Sequence, residues 1–176
     1  MKAYRTIRGF SLIELIVGVA ILAILASVAL PAFKTMLLNA RVRNAAQSVM
    51  AGLTKAKNES STRGPAALVQ FTLTDTTDAS WTVVQLPTVI NGAVIPIDAS
   101  TGKNEGSKNI NVVLTGGNII TYNAFNGVVA GGITRIDLSV TDGTKPLRIT
   151  FKAASGTPTM CESLLPLNSG PRACPY

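Results

Sequence analysis

Phe10 to Leu30 reads FSLIELIVGVAILAILASVAL, one apolar run broken by a single charge, Glu14. About 20 apolar residues in a helix span a bilayer, and this run has that length. Lys2, Arg5 and Arg8 precede it with no anion among them. That asymmetry predicts a cytoplasmic N-terminus, with the remainder sent across the membrane. Glu14 sits four residues past the start of the run, where an acid facing lipid costs about 2.5–3.5 kcal/mol and marks a functional position by default. Plainer readings compete. A cleaved secretory signal has a shorter apolar stretch of roughly 7–15 residues and a small-residue cleavage site. A simple signal anchor leaves Glu14 and the Gly9-Phe10 junction unexplained. Glu14 could also snorkel to the headgroups.

Working outward, the chain of 176 residues allows one compact domain beyond the apolar helix. The formal net charge is +7, but three cations precede the run; without them 13 Lys and Arg face 9 Asp and Glu, a net of +4. That remaining charge is weak evidence for an anionic partner. No His occurs anywhere, which removes His acid–base chemistry, His metal ligands and a His pH switch. Cys161 and Cys174 are the only cysteines. In an oxidising compartment two Cys so close together read as a disulfide, and no metal or cofactor site is expected. No nucleophile–base spacing appears. Gly127 to Gly132 is glycine-bearing but lacks the following helix of a phosphate loop. An enzyme is not expected.

Pro31 ends the apolar run inside a continuing helical pattern, which makes it a kink candidate. Leu38, Val42, Ala45, Val49, Leu53 and Ala56 then recur at spacings of three and four, an apolar face fit to lie on a sheet. Gly64-Pro65 predicts the stop. Beyond it Thr, Val, Ile, Gly and Asn dominate. Strands are predicted at 66–73, 81–86, 93–97, 111–114, 118–122, 133–140 and 147–152, several with period-two alternation. The breaks are turn-like: Asn91-Gly92, Gly116-Gly117, Asn126-Gly127, Gly131-Gly132 and Asp142-Gly143. The polar run 100–109 predicts a mobile surface loop. The result is an α+β fold: a long N-terminal helix, membrane half plus amphipathic half, packed on an antiparallel β-sheet domain. Its expected parts are a leader 1–9, an apolar helix half 10–30, an amphipathic half 31–63 and a β-rich exported domain 64–176 with a disulfide-closed tail.

Arg8-Gly9-Phe10-Ser11-Leu12-Ile13-Glu14-Leu15-Ile16 resembles the class III signal of type IV prepilins and type II secretion pseudopilins. The resemblance implies cleavage between Gly9 and Phe10 by prepilin peptidase, N-methylation of Phe10, and an assembly role for Glu14. In that family the acid is thought to meet the N-terminal ammonium of a neighbouring subunit, which suits a charge that is tolerated when paired. Many members carry Pro at the offset of Pro31. The implied location is the bacterial inner membrane, with the domain periplasmic, and then a filament of pilins or pseudopilins. The order Phe125-Asn-Gly, the strand 133–140, Arg148-Ile-Thr-Phe151, Gly156 and then Cys161 and Cys174 is similar to GspH/FimT-type minor pilins and pseudopilins. That implies a structural subunit near the filament tip that aids assembly initiation. Some FimT-type members take up DNA through a Gly-Arg-x-Arg motif before the first Cys. The matching stretch here, Gly156-Thr157-Pro158-Thr159-Met160-Cys161, lacks both arginines. Lys152 and Arg172 are the remaining candidates for DNA phosphates. Closing the Cys pair encloses 162–173 and is expected to bring Arg172 toward Lys152.

Overall fold

A computed structural model describes residues 10–64, 66–88, 92–103, 106–125, 127–152, 155–165, 170 and 172–174. One helix, α1 (Leu12–Thr62), is followed by seven strands. They are β1 (Val69–Asp75), β2 (Ser80–Gln85), β3 (Ile95–Ser100), β4 (Asn111–Asn123), β5 (Gly127–Ser139), β6 (Leu147–Phe151) and β7 (Pro158–Glu162). The chain divides into two compact units, residues up to Met36 and residues from Leu37 onward.

In the first unit the helix is long and apolar enough to cross a membrane, and its apolar window buries nothing within the chain. Phe10, Leu12, Ile13 and Leu15 are among the exposed side chains. A helix satisfies its own backbone hydrogen bonds, as hydrocarbon demands, except opposite Pro31, which has no N–H.

In the second unit the α+β expectation holds: the amphipathic helix half lies on one antiparallel sheet, ordered β3-β2-β1-β4-β5-β6-β7. Val42, Ala45, Ala46, Val49, Gly52, Leu53, Ala56 and Ser60 form the buried helix stripe. It meets Phe71, Trp81, Val83, Ile120, Tyr122, Ile136, Leu138 and Ile149 on the inner sheet face. Each fully buried aliphatic or aromatic side chain contributes about 1.5–3 kcal/mol. Leu38, predicted to share that stripe, is only partly covered. At Gly52 a Cβ would lie 2.8 Å from the Trp81 ring and 2.9 Å from the Phe71 ring, so glycine lets the helix press onto those aromatics. Their rings stand 5.8 Å apart, and the Trp81 indole N–H donates to the Ser48 hydroxyl at 3.0 Å.

Two expected breaks are not breaks. Residues 111–114 and 118–122 belong to one strand that runs straight through Gly116-Gly117, and β5 runs through Gly131-Gly132. The glycines serve a close crossing instead of a turn. A Cβ on Gly116, whose φ is 91°, would stand 1.5 Å from the Gly132 carbonyl oxygen, and the β4–β5 register shifts there. Bulged long strands bend at such points. β7 is not among the predicted strands. Its PTMCE has no alternation and opens with Pro, which an edge strand tolerates because the missing N–H has no partner to serve. β3 begins two residues later than predicted and ends on Ser100. That residue and Ser107 are buried, so the run 100–109 is not simply a surface loop; residues 104 and 105 lie outside those described. Helix α1 ends at Thr62 and Gly64 takes φ 96°; Pro65, Asn91 and Asn126 lie outside the described residues.

The β5–β6 turn is held by the helix. Asn39 Oδ1 accepts the backbone N–H groups of Thr144 and Lys145, each at 3.1 Å, and its Nδ2 donates to the Thr144 hydroxyl at 3.0 Å. Lys55 Nζ donates to Asp98 Oδ2 at 2.7 Å, tying the helix to the edge strand β3. The Lys55 ammonium, with the Ala99 backbone N–H, holds the Asp98 carboxyl below its ordinary range.

Candidate assembly signal and the C-terminal hairpin

Gly9 and the leader residues lie outside the described residues. Phe10 is 83% exposed, and the helix opens two residues later. Ser11 is the N-cap: its hydroxyl accepts the Glu14 backbone N–H at 3.2 Å, and its carbonyl accepts the Leu15 N–H at 3.2 Å. The serine-to-glutamate spacing of a capping box is thus present in Ser11-Leu12-Ile13-Glu14, a local signal that the surrounding apolar run masks. It starts the helix at a fixed residue and sets Glu14 in the first turn. There a carboxylate is favoured by the positive end of the helix dipole. The Glu14 side chain is exposed, and its carboxylate has no partner among the described residues.

Pro31 stands within α1, which continues on both sides of it. Proline has no N–H, so the carbonyl four residues earlier, on Ser27, loses its helical donor. The Thr35 hydroxyl donates to the Pro31 carbonyl at 3.1 Å, and the Ser27 hydroxyl donates to the Ile24 carbonyl at 2.7 Å.

The two cations singled out near the C-terminus are not neighbours. β6 and β7 pair antiparallel, with Leu147 opposite Glu162 and Phe151 opposite Pro158. Lys152 follows Phe151 at the turn end, where its N–H donates to the Thr157 carbonyl at 3.0 Å. Arg172 lies beside Glu162 at the other end: its carbonyl accepts the Glu162 N–H at 2.7 Å, and its guanidinium stands 3.3 Å from the Glu162 carboxylate. Five strand steps of about 3.3 Å separate these positions, roughly 17 Å. Cys161 and Cys174 are disulfide-bonded. The closed loop thus carries Arg172 away from Lys152 instead of toward it, and no single phosphate spans the two.

The cations that do converge are others. Arg148 Nε donates to Asp137 Oδ1 at 2.6 Å, and Arg135 Nε stands 2.8 Å from Asp137 Oδ2, two guanidiniums on one carboxylate across β5 and β6. Lys57 reaches from the helix to the Thr157 hydroxyl. Alternation along the strands could have placed Arg135, Asp137 and Arg148 on one face, but not the pairing of those strands. A groove of about 700 Å³ runs along the helix between Met50, Ala51, Thr54 and Met160. Among the described residues no group of His, Cys, Asp or Glu could hold a metal ion. Tyr122 is buried and donates its hydroxyl to the Gly156 carbonyl at 3.1 Å; burial pushes its phenol above the ordinary range.

Residues 4–30 match the family model described as the prokaryotic N-terminal methylation motif. No curated protein and no solved structure matches the chain. The motif supports a type IV pilin-like protein. It implies processing by prepilin peptidase, N-methylation and assembly with other pilins. Together with the apolar helix it fits anchoring in the inner membrane and assembly into a pilus.

Proposed function

We propose that the chain is a minor pilin or pseudopilin of the GspH/FimT type, inserted near the tip of a type IV pilus or type II secretion pseudopilus, where it aids the start of assembly. The leader is cut after Gly9 on the cytoplasmic side. Phe10 then becomes the N-methylated first residue, and Glu14 is the residue that recognises a neighbouring subunit. One observation carries the reading: the methylation motif covers an exposed apolar helical run to Leu30 whose one charge, Glu14, has no partner among the described residues.

The mechanism follows from the cost of that charge. Alone in lipid the carboxylate is unfavourable, and beside the ammonium of a neighbour it is paired. Docking next to an existing subunit is thereby favoured at one axial register. The Ser11 cap keeps the carboxylate in the first turn, close to the new N-terminus of its own chain. Pro31, where one helical hydrogen bond is missing, is the point at which the helix loosens as it leaves the bilayer.

Glu14→Ala keeps the apolar length and so inserts into the inner membrane at normal yield, but drops to background in sheared filaments. Fractionating membranes and filaments side by side reads both quantities. Recovery of the variant in filaments at the unaltered level would overturn the assembly role of Glu14.

A further inference from the structure

β7 is the last strand of the sheet, and among the described residues no strand lies on its other side. Antiparallel pairs alternate between bonded and non-bonded positions. The Lys152 N–H to Thr157 carbonyl and the Ser163 N–H to Pro146 carbonyl bonds set the phase on β6–β7. In that phase Thr159 and Cys161 bond to β6, while Pro158, Met160 and Glu162 turn their backbone groups to the open side. Pro158 has no N–H. That leaves two outward donors, on Met160 and Glu162, for an incoming strand to use. The second is taken: the chain returns beside β7, Ala173 bridges to Glu162 in parallel, and the Arg172 carbonyl accepts the Glu162 N–H. Only Cys174, 1% exposed and bonded to Cys161 within β7 itself, ties this returning segment down covalently.

We propose that residues 172–174 are a strap over the free edge of β7, locked by the Cys161–Cys174 bond, and that breaking this bond opens the edge. Unpaired sheet edges invite strand addition, and covering them with a loop is one protection. Among the described residues the cover is one bridge and the Arg172–Glu162 ion pair, whose arginine is largely exposed and so contributes little. It does not stay closed unaided. On the proposed export route, the strap is open on the reducing side of the membrane and locks on the oxidising side.

The test is amide exchange by NMR on the full chain in detergent micelles, oxidised and after dithiothreitol. Each dithiothreitol gives two electrons and two protons to the S–S bond, leaving two thiols, and closes to its own cyclic disulfide. The Cys161→Ser/Cys174→Ser variant is run beside it without reductant. In the oxidised protein the Glu162 amide exchanges slowly. After reduction, and in the variant, it exchanges about tenfold faster or more, while the backbone amide at position 161, bonded to β6, keeps its protection. Unchanged exchange at Glu162 would show that the strap holds without its lock. Equal acceleration at position 161 would show that the disulfide staples β7 to the sheet and that the strap is no separate cover. Neither result bears on Glu14 or on filament assembly, so the two proposals fail independently.

Discussion

Gly52 carries a conflict between two rules, and the geometry says which one wins. In an exposed helix interior, Gly→Ala is favourable by about 1 kcal/mol. At position 52 the added methyl would meet the Trp81 and Phe71 rings at 2.8–2.9 Å, closer than real Cβ contacts come. Both rings are packed between helix and sheet, and Trp81 is further held by Ser48. Overpacking of that kind costs about 1–3 kcal/mol. Gly52→Ala is therefore expected to lower the urea midpoint of the folded domain, the reverse of what helix propensity alone predicts. Trp81 fluorescence reports the transition directly. Gly116 makes the same point in the sheet, where the Gly132 carbonyl occupies the space of a side chain. At Ser11 and Glu14, by contrast, the device is short-range, a cap made within one turn.

At the scale of elements, the helix does more than lend an apolar face. Asn39 reads the β5–β6 turn through three hydrogen bonds, at the point where the helix first belongs to the domain. The turn needs the support: Asp142 has φ 64°, a strained value for a side-chain-bearing residue. A hydrogen bond contributes about 0.5–1.5 kcal/mol net, and these three are solvent-exposed. Asn39→Ala is expected to cost about 1–2 kcal/mol and to speed exchange of the Thr144 and Lys145 amides. Asn39→Asp keeps the acceptor for both N–H groups, and its second oxygen accepts the Thr144 hydroxyl in place of the lost amide donor, so those two amides stay protected. Exchange rates at positions 144 and 145 in the two variants separate the contributions. The long strands β4 and β5 are only half legible in the sequence, because their ends alternate and their middles carry glycines that also spell turns.

For the whole molecule, acid stability follows the ties between helix and sheet edge. Lys55 and Asp98 join α1 to β3, and the lowered Asp98 carboxyl contributes stability that is present above its unfolded value. As pH falls below the ordinary Asp range of about 3.9, that contribution is lost through the folded-state value. The pair is largely exposed, so its share stays under about 1 kcal/mol. Asp98→Asn is expected to leave the urea midpoint at pH 3 nearly unchanged and to lower it slightly at pH 6; added salt shrinks the difference. What the sequence determined by itself was everything set by local order. The run from Phe10 to Leu30 states a membrane-length helix, residues 4–30 carry the methylation motif, and the spacing from Val42 to Ala56 states the buried stripe. Each depends on residues within a few turns of one another. What only the tertiary structure decided depends on which strands become neighbours. The glycines at 116, 117 and 132 are a crossing because β4 and β5 pair there. β7 is a strand because β6 offers it a partner, although its own residues do not ask for one. Arg172 lies far from Lys152 because the disulfide closes at the opposite end of the β6–β7 hairpin from the turn. Loop closure brings ends together but does not say where on a sheet they land, since that depends on pairings made by residues distant in sequence.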